Sequence, residues 1–587
     1  MTYDFLKAEA GRRPVWIIEI DLDYCELIYG TSPCLAAIGV TGPEKCYNTR
    51  KTCQYPTAYD KGTKTYRFSS EILPPSGEEQ FQCIPCIDDV SFLPSRIEPG
   101  KGLGRRSVMT VTMLDHAMSD LGIDKYLSDR TYDSATTGTF FTKLMARNPY
   151  YQGRTVRIKT GYLLDGEDPD AANFITRRYQ LEKIDGPDRS GKMTFTAKDP
   201  LKSLDDKRSQ APRASKGKLA LALNNSDGVF DLAIAGIGDI EYATSGFIKI
   251  ESEIMSFTRV ADTLTVSRAQ KNTVAVAHDI DSPVQQCLAY TAINLLTILQ
   301  DLLVNFGGVD AGLIPTAEWA EEGDLWFIDV NLTALVSSPT GVQSLIGELS
   351  EQCQCFIWWD ERAQEVKFKG VRPWAFDQIA AVDDDAHVIS DSQSVKDRPD
   401  ERVSQVQVFY GQKNPTEELA RPWNFARLEV NTDQDSESAD EYGEARIKVI
   451  YSRWLSTAQG SLAAGLAARM LSRYRDNPRT ISFKLDAKDS TAWTADTVLA
   501  TIRMLTDFSG APIPSYLQVI EARESVMGSE YEYILQDSGF TARYFLWADE
   551  TVEEDYGSAA PALRSRYGWY ANDDDELTNN DDGYLLA

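Results

Sequence analysis

Histidine is scarce in this chain, which has only three among its 587 residues: His116, His278 and His387. None begins the zinc-protease pattern HExxH, and none is spaced from a cysteine in a way that suits nucleophilic catalysis. The sequence also lacks the nucleophile motif GxSxG and a phosphate-binding Walker loop. Carboxylate pairs carry no signal for glycoside cleavage among 88 acidic residues. We therefore expect no enzyme, with His116 and His278 in turn or capping positions.

Long hydrophobic runs are also absent. The most apolar helical stretch, residues 292–306, is interrupted by Asn294, Gln300 and Asp301, so it is too short and too polar to span a membrane. The first seven residues contain no basic region followed by an apolar core, so no signal peptide is expected. These features predict a protein without a membrane span that is made and folded in a cytoplasm.

Positive charge is in deficit, because 60 basic residues face 88 acidic ones and the formal net charge is −28. Binding to nucleic acid through phosphates needs clustered lysine and arginine, so this balance argues against it. It is compatible with a surface past which DNA slides without adhering. The acidic runs 383–385 and 573–576 do not follow EF-hand spacing, and we expect solvated loops there.

Alternating apolar residues dominate the chain and predict antiparallel strands, for example at Met109, Val111 and Met113. Helical spacing is confined to short stretches such as 293–303, 342–349 and 462–474. We predict a mainly β, multidomain protein with α+β modules. The expected units are an N-terminal β domain at 1–210 with a cysteine-rich loop at about 30–90, a small β insertion module at 214–288, an α+β module at 289–394, a second β domain at 395–548 and an acidic tail at 549–587.

Six of the nine cysteines crowd into the first 86 residues: Cys25, Cys34, Cys46, Cys53, Cys83 and Cys86. A reducing cytoplasm disfavours disulfides, so this density favours a metal site, and four thiolates suit either zinc or an iron–sulfur cluster. Two disulfides with a spare thiol remain the alternative. Spacing alone does not choose between the two metals.

Several segments occur in an order that resembles the tail hub proteins of siphophages and gene transfer agents. They are residues 46–54 (CYNTRKTCQ), 63–68 (TKTYRF), 84–86 (IPC), 99–104 (PGKGLG), 138–141 (GTFF) and 146–154 (ARNPYYQGR), with the hairpin at 251–278 similar to a small insertion module of those hubs. The resemblance covers roughly the first 290 residues and is one of architecture beyond them. It implies a fold related to contractile-phage baseplate hubs, with two tube-like β-barrel domains in each subunit of a homotrimer. Residues 1–210 and 395–548 are the expected barrels.

The resemblance also implies a [4Fe–4S] cluster, with zinc as the alternative. Motif matching selects Cys34, Cys46, Cys53 and Cys86 as ligands, and Cys83 is the main rival of Cys86. We expect the remaining cysteines to be core thiols: Cys25, Cys287, Cys353 and Cys355.

The function implied by the resemblance is that of a structural virion protein at the phage tail tip. A trimeric, pseudo-sixfold ring would close the tail tube, carry a fibre or spike and open for DNA ejection, with the cluster as a structural staple. Expected partners are the distal tail protein, tail fibre, spike or megatron-type tail tip proteins and the tape-measure protein, with assembly in the host bacterial cytoplasm. The alternatives are a tail-associated cell-wall hydrolase and a tail protein that binds a host surface glycan.

Overall fold

A computed structural model describes residues 2–9, 11–74, 76–164, 169–372 and 379–537. Strands account for 40% of the structure and helices for 19%, which confirms the prediction of a mainly β, multidomain protein with α+β modules. No helix in these described ranges is long and apolar enough to cross a membrane. The predicted acidic tail at 549–587 lies outside the described residues.

The N-terminal unit is a β-barrel with two short helices. Its elements are α1 (Tyr3–Leu6), β1 (Arg13–Cys25), β2 (Lys61–Ser69), β3 (Ile84–Pro85), β4 (Ile87–Leu93), β5 (Arg96–Glu98), β6 (Gly102–Arg105), β7 (Val108–Leu114), α2 (Phe140–Arg147), β8 (Thr155–Leu163), β9 (Phe174–Asp185) and β10 (Lys192–Lys198). The sheet order is β3-β2-β1-β8-β9-β10-β7-β4.

Residues 84–93 close this sheet into a ring. Strand β3 pairs with β2 in parallel, whereas β4 pairs with β7 in antiparallel orientation. Only Cys86 separates β3 from β4, so the two edges of the sheet are one continuous piece of chain. Closure turns alternate residues inward, and Met109, Val111 and Met113 of β7 are fully buried in the core. The period-two pattern in the sequence therefore marks the interior of this N-terminal barrel.

The small module that follows is a five-stranded antiparallel sheet. A short linker strand, β11 (Gln210–Ala211), precedes β12 (Val229–Asp231), α3 (Ile237–Glu241), β13 (Ser245–Ile250), β14 (Glu253–Val260), β15 (Thr263–Gln270) and β16 (Val284–Gln286). The strand order is β12-β15-β14-β13-β16, and the module has a hydrophobic core of its own.

The middle module combines helices with short strand pairs. It contains β17 (Leu288–Asn294), α4 (Leu295–Asp301) with the π-helical turn Leu302–Phe306, α5 (Thr316–Trp326), β18 (Asn331–Val336), β19 (Thr340–Gly341), α6 (Val342–Cys353), β20 (Cys355–Asp360) and β21 (Glu365–Gly370). Strand β19 pairs with the linker strand β11.

The remaining elements divide between two structural units. They are β22 (Ile379–Asp383), β23 (Ser394–Asp397), β24 (Gln405–Gln412), β25 (Phe425–Thr432), α7 (Gln434–Glu437), β26 (Ile447–Tyr451), α8 (Gly460–Tyr474), β27 (Arg479–Asp486), β28 (Thr497–Thr506), β29 (Pro512–Val526) and β30 (Glu530–Asp537). Val406, Trp454 and Leu466 share one core with Leu299 and Ile346. The structure thus groups 405–474 with the middle module, although the sequence analysis assigned these residues to the second β domain.

The C-terminal barrel consists of 379–397 and 479–537. Its order is β22-β28-β29-β30-β27-β23. Strand β22 pairs with β28 in parallel and β23 pairs with β27 in antiparallel orientation. Between β22 and β23, the N–H of Asp384 donates to the carbonyl of Thr501 on β28, and the N–H of Ile389 donates to the carbonyl of Lys484 on β27. This sheet therefore also closes through one continuous segment.

The two barrels share a strand order that no sequence repeat reveals. After its closing segment, each barrel has four strands: β7, β8, β9 and β10 in the first and β27, β28, β29 and β30 in the second. Around each ring the spatial order is first, fourth, third, second, and every one of these pairs is antiparallel. The N-terminal barrel differs by adding β1 and β2 between β8 and its closing segment.

The barrels contact each other directly. The hairpin β5–β6 leaves the N-terminal barrel and pairs with β29, where Arg96 faces Glu521. The hydroxyl of Tyr162 on β8 donates to the carbonyl of Gly528 at 2.8 Å. Because the contact includes backbone pairing as well as side chains, it fixes the orientation of the barrels.

Candidate metal centre

Four of the six N-terminal cysteines lie close together at one end of the N-terminal barrel. Cys25 is the last residue of β1 and pairs with Lys61 at the start of β2. Cys34, Cys46 and Cys53 lie in the loop that connects these two strands. The thiol of Cys46 interacts electrostatically with those of Cys53, Cys34 and Cys25. The structure therefore brings Cys25 to the three loop cysteines.

The loop that carries these cysteines is held by buried polar contacts from another part of the barrel. The Arg130 guanidinium donates to the carbonyl oxygens of Lys45 at 2.6 Å and Cys46 at 3.0 Å. Its ion pair with Asp124 spans 2.7 Å, and both side chains are almost fully buried. The Arg130 guanidinium also lies 3.8 Å from the centre of the Tyr47 ring. These contacts hold the backbone at Cys46.

Two backbone N–H groups are directed at sulfur. The N–H of Asn48 donates to the thiol of Cys46, and that of Tyr55 donates to Cys53, each two residues further along the chain. Burial raises the pKa of both thiols, the neighbouring thiols raise it further, and these N–H donors oppose the rise. Such hydrogen bonds stabilise thiolate once a metal has displaced the protons.

Cys83 and Cys86 lie at the opposite end of the strands from this group. Pro85 pairs with Ser69, and Ser69 pairs with Ile17 on β1. Ile17 is eight residues from Cys25 along the same strand, a separation of roughly 26 Å at about 3.3 Å per residue. Burial raises the pKa of each of these two thiols to about 12. Cys86 packs in the barrel core, and Asp115 is the charged group that acts on it.

A tyrosine hydroxyl also lies near two of the clustered thiols. The hydroxyl of Tyr59 is buried and has no hydrogen-bond partner among the described residues, and it interacts electrostatically with the thiols of Cys25 and Cys53. Burial raises the pKa of Tyr59 to about 12, with negative charge on Asp23 and the two thiols adding to the rise. The hydroxyl at this position therefore stays protonated and keeps its capacity to donate a hydrogen bond.

The four thiols are not close enough to bind one ion together. Within the described ranges, no three His, Cys, Asp or Glu side chains converge at metal-ligand distances. A tetrahedral zinc with Zn–S near 2.3 Å requires its sulfurs to lie roughly 3.8 Å apart. The described thiols therefore do not have the spacing of a bound zinc ion.

The remaining cysteines and histidines have structural surroundings. Cys287, Cys353 and Cys355 are buried. The ring of His116 stacks on Phe140 with centroids 5.5 Å apart. His278 lies buried between two carboxylates of the small module, Glu251 at 3.1 Å and Glu253 at 3.0 Å.

Cys25 is predicted to be a core thiol, and the structure confirms that it is buried, with 7% exposure at the end of β1. Its position beside the three loop cysteines was not predicted. The available signal was its position at the last residue of the strand, directly before the cysteine-bearing loop. A residue at a strand end can be buried and still face the loop that follows.

Comparison with known proteins yields structural similarity only. No protein-family model matches the chain, and no curated protein matches it. Among solved structures, the 43 kDa tail protein of prophage MuSo2 from Shewanella oneidensis is 8% identical with a TM-score of 0.35, covering 77% of this chain and 98% of its own. A tail protein from Neisseria meningitidis is 8% identical with a TM-score of 0.34, covering 77% and 91%. Prophage tail protein gp18 from Listeria monocytogenes is 9% identical with a TM-score of 0.28, covering 66% and 86%.

Proposed function

We propose that the chain is the central hub of a phage tail tip, a structural protein of the virion. The supporting observation is the strand order that the two barrels share, each closed by a segment that is parallel at its start and antiparallel at its end. Two similar units in one chain are what a threefold assembly needs to match a sixfold tube, since three copies supply six units. The ordered motifs in the first 290 residues point to the same class of protein.

In this proposal the rigid joint between the barrels determines how the ring is built. Backbone pairing of β5 with β29 prevents the two units from rotating independently, so each subunit contributes one fixed third of the ring. A formal charge of −28 would let the ring repel DNA phosphates instead of binding them. The hub would sit between the distal tail protein and a fibre, spike or megatron-type tip protein, with the tape-measure protein and DNA held behind it until ejection. Its subunits would assemble in the host cytoplasm.

The number of subunits in the purified protein tests the hub proposal. Light scattering of the purified chain at assembly concentrations should give a mass of three subunits, and images down the particle axis should show six similar densities in a ring. A chain that stays monomeric at those concentrations would count against the proposal. Adsorption of the isolated protein to host cells would instead favour a glycan-binding tail protein, and clearing of host cell walls in a zymogram would favour a hydrolase.

We also propose that Cys25, Cys34, Cys46 and Cys53 hold a [4Fe–4S] cluster, with zinc as the alternative metal. This set replaces Cys86 by Cys25, because Cys86 lies roughly 26 Å along the strands from Cys25. The bound group would supply four strong sulfur ligations that cross-link the loop between β1 and β2. The chain's residues position the thiols. Its role would be that of a staple for a loop with little core of its own.

Two serine variants test whether Cys25 or Cys86 is the fourth ligand beside Cys34, Cys46 and Cys53. Cys25 and Cys86 are similarly buried, at 7% and 6% exposure, in the same barrel, so Cys86→Ser is a matched control for Cys25→Ser. Protein purified without oxygen should be brown and contain about four irons per chain. We expect Cys25→Ser to lose the iron and Cys86→Ser to keep it. The reverse result would restore Cys86 as a ligand, and colourless protein with one zinc would replace the cluster while leaving the hub proposal intact.

A further inference from the structure

Asn48 forms hydrogen bonds both with Cys25, at the end of β1, and with Cys46, in the loop that follows. Its backbone carbonyl accepts a hydrogen bond from the N–H of Cys25 at 2.7 Å. Its side-chain Nδ2 donates to the carbonyl oxygens of Cys25 at 2.8 Å and Leu27 at 3.2 Å. Its own N–H donates to the sulfur of Cys46. One residue therefore joins a cysteine at a strand end to a cysteine 21 positions later in the loop.

The backbone conformation at Asn48 makes these contacts possible. Its φ of +56° lies in the left-handed region, which asparagine tolerates better than most residues with a Cβ. This conformation turns the chain directly after Cys46 and Tyr47, so that the N–H and the carbonyl of Asn48 serve different cysteines. Asn48 is 2% exposed, and its Oδ1 has no hydrogen-bond partner among the described residues.

We infer that Asn48 is a positioning residue of the proposed metal centre. It holds Cys25 and Cys46 at a fixed separation before any metal binds. The inference rests on the proposed centre for its metal, but the positioning itself is a property of the chain. Residues that orient metal ligands typically contribute a factor of roughly 10–100 to metal affinity. Asn48 does so by hydrogen bonds to ligand backbone and sulfur, and it does not itself bind the metal.

Three variants test this role. Asn48→Asp keeps the shape but replaces the Nδ2 donor by an acceptor that faces the carbonyl oxygens of Cys25 and Leu27. Asn48→Gly keeps the left-handed backbone and the N–H donor to Cys46 while removing the side-chain bridge. Asn272→Asp is the matched control, because Asn272 has a φ of +57° but is exposed in the small module.

The readouts are iron per chain after anaerobic reconstitution, the electron paramagnetic resonance signal of the reduced cluster, and the alkylation rates of Cys25 and Cys46 in metal-free protein. We expect iron affinity to fall roughly 10–100-fold in Asn48→Asp, less in Asn48→Gly, and not in Asn272→Asp. Alkylation of both cysteines should accelerate in the same order. Wild-type iron content, signal and alkylation rates in Asn48→Asp would overturn the inference. If the wild-type chain binds no metal, the proposed centre fails, and the alkylation rates alone decide whether Asn48 positions the two thiols.

Discussion

Arg177 and Glu524 form an ion pair across the contact between the two barrels. The guanidinium nitrogen and the carboxylate oxygen lie 3.0 Å apart, and the side chains are only 3% and 2% exposed. Arg177 is on β9 and Glu524 is on β29, the strands that occupy the same place in the shared strand order. A second bond from Arg177 to the hydroxyl of Thr160 at 3.1 Å orients the guanidinium. The barrels are therefore joined through a charge pair that water does not reach.

Replacing one partner of this pair should destabilise the chain strongly. Glu524→Gln leaves the charge of Arg177 buried without a counter-ion, which typically costs about 3–5 kcal/mol. Thermal unfolding should show a clear fall in melting temperature. Asp185→Asn is the control, because its pair with Lys183 on the same strand is exposed, and we expect no measurable change. Equal melting temperatures for the two variants would contradict the role given to the buried pair.

Glu361 should make the joint sensitive to pH. The turn between β20 and β21 lies between the barrels, where the Arg362 guanidinium is 3.4 Å from the centre of the Trp493 ring. Burial, followed by the charge of Asp360, raises the pKa of Glu361 to about 7. A carboxyl whose pKa is raised on folding favours the folded state while it is protonated. Its contribution is therefore complete below about pH 4.5 and is lost as the pH rises through about 7.

The variant Glu361→Gln tests this dependence because it stays neutral at every pH. We expect its melting temperature to exceed that of the wild type at pH 8 and to approach it at pH 4.5. Glu321→Gln, an exposed position on α5, should follow the wild type throughout. Identical pH profiles for Glu361→Gln and the wild type would show that Glu361 does not titrate in this range.

Glu253 should make the stability of the small module depend on pH in the opposite direction. Burial opposes ionisation of this carboxyl, but hydrogen bonds from Arg268, from backbone N–H groups and from His278 lower its pKa to about 2. A lowered pKa stabilises the folded state above about pH 4.5, and the contribution is lost as the pH falls toward about 2. Glu253→Gln should therefore speed amide hydrogen exchange in β13–β16 at pH 7, with a smaller difference near pH 2.5. Asp281→Asn, which removes an exposed carboxylate of the same module at a left-handed position that asparagine tolerates, should leave the exchange unchanged.

Gly104 should tolerate no side chain. A Cβ at this position would collide with the backbone carbonyl of Arg96 on the facing strand β5. Gly104→Ala should therefore open the hairpin that pairs with β29 and lower the melting temperature by several degrees, since overpacking costs about 1–3 kcal/mol. Gly465→Ala is the contrasting variant, because Gly465 lies in α8 with open space around it. There alanine should be neutral or stabilising by up to about 1 kcal/mol, and a loss of stability as large as at Gly104 would contradict this explanation.

The motifs read from the sequence correspond to local structure. In residues 138–141, Gly138 has a φ of +74° and Thr139 forms the capping box that begins α2. Phe140 and Phe141 are buried in the N-terminal barrel. In residues 99–104, Gly100 and Gly102 have positive φ. Such features depend on a few consecutive residues, and for that reason they are visible without a structure.

Local periodicity in the sequence was enough to determine that the protein is mainly β, which segments are strands and that cysteines concentrate near the N-terminus. Only the tertiary structure decided which of these parts meet. It closed both sheets into barrels, joined 405–474 to the middle core and separated Cys25 from Cys86 along β1 and β2. The physical reason is that side-chain alternation specifies which face of a strand is buried, whereas neighbours in a sheet are set by pairings between residues far apart in the chain. A thiol buried at the end of one strand can therefore lie beside cysteines of the loop that follows it.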